Sequence, residues 1–241
     1  MNKKLSILLL FIMLLVSGCS IKDDLVTKNK ELQSEVEGLI SVNEELNTTK
    51  KIIDFYNKVT TNNMNSFVLV ESKGIYTQNK KYSNGVVIGS SGQYKYVLTD
   101  YYSIKQENER LTIMDSYAIS YSVAQNNSLY MIDEETGLAV IRFSTLGIST
   151  NIANINVGNS SDIVALLDSI EQLNKVTLLN NLKSSTITYN DTTYSCYELE
   201  NTNINNGSVF INMENELMGI YSSKLDAIIG KDLLKEMIDF I

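Results

Sequence analysis

From about Ser66 onward the chain is a succession of short β-forming runs with no long helical period between them, and this narrows the folds open to it. SFVLVES, NGVVIGS, YKYVLTD, RLTIMDS, AISYSV, SLYMID and LAVIRFS follow one another between residues 66 and 144. They are rich in β-branched and aromatic residues, and Gly, Asn, Asp and Ser punctuate them. A second group, KVTLLN, STITYN, TTYSCYEL, GSVFINM and ELMGIYS, occupies residues 175–222. Such close spacing argues for antiparallel barrels or sandwiches. Residues 162–182 read as either helix or strand. The end, KLDAIIGKDLLKEMIDFI, places Leu225, Ile228, Leu233, Leu234, Met237 and Ile238 at helical spacing and predicts a terminal helix over 224–241.

Residues 20–62 have a different period. Leu25, Leu32, Leu39, Leu46 and Ile53 recur every seven residues among Glu and Lys, and Asn29, Val36, Asn43, Lys50 and Asn57 follow each by four. One apolar seam position with a mostly polar companion predicts a weak coiled coil or a single amphipathic helix. Forty helical residues reach on the order of 60 Å. The plain expectation is a stalk, and the other is a homo-oligomer formed through residues 25–57.

The first twenty residues, MNKKLSILLLFIMLLVSGCS, run from Lys3 and Lys4 through an apolar stretch to small residues and a cysteine. That is the order of an export signal, and the apolar run is short for a spanning helix, which needs about 20 residues. Val16-Ser17-Gly18-Cys19 resembles the lipobox of bacterial lipoproteins. The resemblance implies a signal peptide over 1–18, acylation of Cys19, and an anchor on the extracytoplasmic face of the cell membrane. Segments 19–62 and 63–241 would then be the stalk and the folded domain. Cleavage before Cys19 leaves 241 − 18 = 223 residues and removes two lysines, moving the formal charge from −8 to −10. So acidic a chain has no electrostatic footprint for nucleic acid, and an anionic bilayer would repel it, leaving the lipid to do the anchoring.

The chain has two cysteines and no histidine. Cys196 alternates with aromatic neighbours and reads as a small core residue. The lack of His excludes imidazole acid–base chemistry and imidazole zinc sites. No phosphate loop or calcium loop is present, so no cofactor and no metal are expected.

Three stretches line up in order with the trypsin-like serine peptidases, most closely the HtrA-like branch. NGVVIGSSGQYKYVLTDYYSI, residues 84–104, resembles the family's strand, Gly turn and "V-L-T-N-x-H-V-I". DEETGLAVIRF, residues 133–143, resembles "D-x-x-x-D-L-A-V-I-K". NINNGSVFINMENELMGIYS, residues 203–222, is similar to "G-N-S-G-G-P-L-F-N-x-x-G-E-L-I-G-I". A shorter match, NVGNSSDI at 156–163, resembles "L-G-N-S-D". The resemblance covers roughly residues 66–222. It implies a mainly β, double antiparallel β-barrel with a C-terminal helix and a cleft between barrels.

Carried over residue by residue, Tyr102 stands where the family has its histidine base and Gly137 where it has the orienting aspartate. Asn206, followed by Gly207, stands at the nucleophile position, unless a gap places Ser208 there. A serine hydroxyl needs an oriented base, and a tyrosine titrating near 10 is a poor proton acceptor. The resemblance therefore implies a pseudoprotease, with a protein or peptide bound near Tyr101, Tyr102, Gly207 and Ser208. The alternatives are a structural envelope lipoprotein acting through its stalk, or a residual peptidase with a non-standard site. The carboxylate pairs in Asp133-Glu134-Glu135 and Glu214-Glu216 read as solvated turns.

Overall fold

A computed structural model describes residues 2–107, 109–123, 129–145, 155–159, 161–170, 173–180, 182–189, 191–198, 204–239 and 241. The chain divides into two units, Met1–Ile53 and Asp54–Ile241. Helix α1, Asn2–Thr61, supplies the first unit and runs into the second. It begins well before the expected residue 20, because the leucine-rich opening is itself a strong helix former. Among the described residues no helix is long and apolar enough to cross a membrane.

In the second unit Phe55 and Val59, one turn apart on α1, are buried in the core. A 3-10 turn, Asn63–Ser66, leads into the first sheet. Its strands are β1 Phe67–Gly74, β2 Lys80–Ser91, β3 Tyr94–Asp100, β4 Glu109–Asp115, β5 Ser120–Ser122, β6 Leu129–Ile132 and β7 Leu138–Ser144. A four-residue helix α2, Tyr101–Ile104, follows β3. The order is β5-β4-β1-β2-β3-β7-β6. Three hairpin-linked strands with the fourth returning beside the first make a Greek key.

The second sheet contains β8 Ile163–Ile170, β9 Leu173–Asn180, β10 Lys183–Tyr189, β11 Thr192–Glu198, β12 Val209–Ile211, β13 Leu217–Ser222 and β14 Ala227–Ile229, and α3 Lys231–Asp239 follows it. Its order is β10-β11-β14-β13-β12-β8-β9. Laid flat, seven strands would span roughly 29 Å. Yet the edge strands β9 and β10 are joined by residues 181–182 alone, a link of at most about 11 Å. The sheet must therefore curl. The first sheet curls too: on β5 the Tyr121 ring lies 5.3 Å from Phe143 on β7, across the sheet order.

The chain is thus mainly β, two antiparallel sheets between an N-terminal and a C-terminal helix, as expected for a double β-barrel. Val68, Val70, Val87, Val97, Ile113 and Ile141 fill the interior of the first sheet. Their neighbours Phe67, Val86, Leu98 and Val140 point the other way, into a core shared with Leu167, Val209, Ile211 and Ile220 of the second sheet. Burial on both faces explains why the sequence shows continuous apolar runs rather than strict alternation. Each such side chain contributes roughly 1.5–3 kcal/mol on burial.

One open reading is resolved and one expectation is corrected. Within 162–182, β8 and β9 are antiparallel strands, paired from Ile163–Asn180 to Ile170–Leu173. The terminal helix is shorter than 224–241, because Ala227–Ile229 is a strand between β11 and β13. A backbone with partners on both sides is held as strand, and the helix starts only beyond Gly230.

Candidate functional site

The turn before β7 explains why a glycine stands at position 137. Asp133 Oδ1 accepts the Glu135 N–H at 3.0 Å, and its Oδ2 accepts the Thr136 hydroxyl at 2.8 Å. The Gly137 N–H then donates to the Asp133 carbonyl at 2.8 Å, closing a tight turn. Gly137 has φ +74°, which costs a residue with a Cβ about 1–2 kcal/mol. The acidic run is therefore a turn with Asp133 as its organising acceptor.

Tyr102 packs onto this turn. Its N–H donates to the Gly137 carbonyl at 3.0 Å. A Cβ on Gly137 would stand 2.6 Å from Tyr102 Cβ and 3.1 Å from Lys224 Cβ. Lys224 Nζ lies 5.9 Å from the Tyr102 ring centroid, in cation–π range, and donates to the Glu134 carbonyl. Tyr102 is 56% exposed, whereas the adjacent Tyr101 is 6% exposed. The Tyr101 hydroxyl donates to Glu109 Oε1 at 2.5 Å, and burial, reinforced by that carboxylate, pushes its pKa upward. Tyr101 is thus a core group.

Below Tyr102 the two sheets are stitched by polar contacts. The Ser223 N–H donates to Asp100 Oδ2 at 3.0 Å, and the Ser222 hydroxyl donates to the Thr136 carbonyl at 2.5 Å. Asp100 is fully buried. Burial raises its pKa, opposed by the Ser223 hydrogen bonds. Among the described residues Asp100 Oδ1 and Ser223 Oγ are buried without a well-formed hydrogen bond.

The nucleophile position belongs to a second seam. The Asn206 carbonyl accepts the Asn84 N–H at 2.9 Å, Asn84 Nδ2 at 3.2 Å and the Ser83 hydroxyl at 3.2 Å. Asp168 accepts Asn84 Nδ2 on one oxygen and Asn205 Nδ2 on the other, both at 2.7 Å. Thr99, three residues before Tyr102, donates to the Asn84 carbonyl at 2.7 Å. Gly207 adopts φ +71° against the Asn84 carbonyl. Ser208 is 0% exposed, and its hydroxyl donates to the Asn205 carbonyl at 2.7 Å. Its hydroxyl therefore faces a backbone carbonyl and is shut off from solvent.

The fold brings Tyr102 and Gly137 together, and Asn206 is linked to β3 through Asn84 and Thr99. Of the residues picked for ligand contact, only Tyr102 has a broadly exposed side chain. Cys19 lies within α1. Cys196 is buried on β11, and burial raises its thiol pKa. Asp100, Ser223, Lys224 and Asp168 were not legible as site residues. The one available signal was a carboxylate ending the apolar run YVLTD.

Elsewhere, a cavity of about 200 Å³ lies between β2 and α3, lined by Ile88, Ile155, Asn156, Val157, Lys235 and Ile238 among others. Among the described residues no group of three or more metal-ligating side chains gathers. No protein-family model and no curated protein matches the chain.

Proposed function

We propose that this chain is a membrane-anchored lipoprotein whose trypsin-like double-barrel domain is a pseudoprotease. It holds a protein or peptide partner at the cell envelope rather than cutting it. The observation that carries this reading is the packing of Tyr102 onto Gly137 under Lys224. On the resemblance an imidazole would stand at 102 and its carboxylate at 137, and this chain has there an aromatic ring and a turn glycine, with the Lys224 stem beside them. A hydroxyl without an oriented base is not a nucleophile at neutral pH. The surface around Tyr102 retains an aromatic face and a cation, groups that suit contact with a polypeptide.

The test uses full-length protein with two readouts. Unfolded protein substrates and a fluorophosphonate probe report hydrolysis and serine labelling, with Ser208→Ala as control. A photo-crosslinking residue at position 102 reports the partner in intact cells. No hydrolysis, no label and a discrete adduct at 102 are expected. Hydrolysis lost in Ser208→Ala would overturn the pseudoprotease reading, and absence of any adduct would overturn the binding role.

A further inference from the structure

Between Leu25 and Ile53, α1 sorts its side chains by heptad position. Leu25, Leu32, Leu39, Leu46 and Ile53 fill position d. Val36 falls at a, Val26 and Ile40 at e, and Val42 at g. These nine are the large apolar residues of the segment that stand exposed, each between 48% and 63%. All lie on the a, d, e and g half. The opposite half, b, c and f, carries Lys30, Glu31, Glu37, Glu44, Glu45 and Lys51, and its one large apolar residue, Ile52 at c, is half-buried where the helix nears the second unit's segment of α1. A solitary solvated helix has no need of such a division, and a helix that pairs does.

We propose that a second copy of this chain covers this face, giving a parallel, in-register coiled coil over residues 25–53. Three observations select a second copy. First, the remaining a positions include Asn29 and Asn43, and in-register pairing sets each opposite its own counterpart, where two amides satisfy one another. Buried a-position Asn fixes register and favours two strands. Second, the segment holds four lysines and five glutamates, a net of 4 − 5 = −1. Two copies therefore approach with little repulsion, although the whole chain carries −8. Third, with roughly 100 Å² exposed on each apolar side chain, nine supply on the order of 900 Å² per chain, enough for a stable pair of partners. Lys50, also at a, weakens the pairing at its C-terminal end and keeps its ammonium in water along the stem. The inference rests on the helix alone and is independent of the barrel domain's role.

Sedimentation equilibrium of the full-length chain in density-matched detergent tests it. A mass of two chains is expected, falling to one in Leu32→Asp/Leu39→Asp, with self-association weakened at least about 100-fold. The thermal transition of the β domain serves as a folding control and should not move. Orientation is read by oxidation. Asn43→Cys should form an interchain disulfide and Glu44→Cys, on the outward half, should not. A wild-type monomer up to about 100 μM, a dimer that survives the double substitution, or equal cross-linking at 43 and 44 would overturn the proposal.

Discussion

The Tyr102 and Gly137 Cα–Cβ positions exclude one another: a Cβ added at 137 would stand 2.6 Å from Tyr102 Cβ. Glycine and tyrosine are therefore a matched pair, and a carboxylate cannot be placed at 137 by one substitution without displacing Tyr102. Gly137→Asp meets this overlap and a φ of +74° together, a combined cost of about 2–4 kcal/mol. A domain of this size should lose about 5–15 °C of Tm, read by circular dichroism. Tyr102→His/Gly137→Asp should still hydrolyse nothing, because Ser208 faces the Asn205 carbonyl. An unchanged Tm in the single variant would show that the turn relaxes freely.

Asp100 makes a pH-dependent contribution whose sign follows from its burial. Its folded pKa lies above the unfolded value of 3.8. Between the two values the native state binds more protons than the unfolded chain, so stability falls as pH rises through that window. Above the folded-state value the destabilisation is fully present, and below 3.8 it is gone. Asp100→Asn keeps an acceptor for the Ser223 N–H and removes the buried charge. Its Tm should exceed wild type at pH 7, with the gap closing toward pH 4. A variant less stable than wild type by the same amount at both pH values would mean that charge burial is not the governing cost.

Gly207 is a second position where only glycine fits. Its added Cβ would stand 2.2 Å from the Asn84 carbonyl oxygen, and its φ is +71°. Backbone on both sides cannot swing away as a flexible side chain can. Gly207→Ala should therefore part the loop from β2, breaking the Asn84–Asn206 bonds and costing about 3 kcal/mol or more. The cost should shrink when Asn84→Ala is already present, since the two residues share partners. Full additivity in that double-mutant cycle would show that Gly207 acts without Asn84.

Most strands were legible because their apolar runs are bounded by turn residues, as in NGVVIGS and YKYVLTD. Those runs look continuous because Phe67 and Val68, or Val86 and Val87, feed different cores. IVALLDSI did not declare itself: its Ala and Leu suit a helix, and only pairing with β9 and β12 holds it extended. Ala227–Ile229 was hidden in a helical period because three residues have no period of their own. Tyr102, Gly137 and Asn206 came from alignment to a known pattern. The contact between Asp100 and Ser223 spans 123 positions, and no local pattern encodes a partner so distant.

Cys19 carries the anchoring half of the proposal and can be tested apart from the barrels. Acylation of a cysteine adds a chain worth about 0.8 kcal/mol per buried CH₂, and more than one chain is needed for stable attachment. Once the signal is cut, the net acidity of the chain gives it no electrostatic attraction to an anionic bilayer. In cells fed a labelled fatty acid, wild-type protein should take up label and sediment with membranes. Cys19→Ala should lose the label completely and move to the soluble or secreted fraction if the signal is still cut, or persist as an uncut, unlabelled precursor. Cys196→Ala should keep its label, because that thiol is buried on β11. Label retained in Cys19→Ala would remove the lipid anchor and, with it, the reason for placing the partner at the membrane.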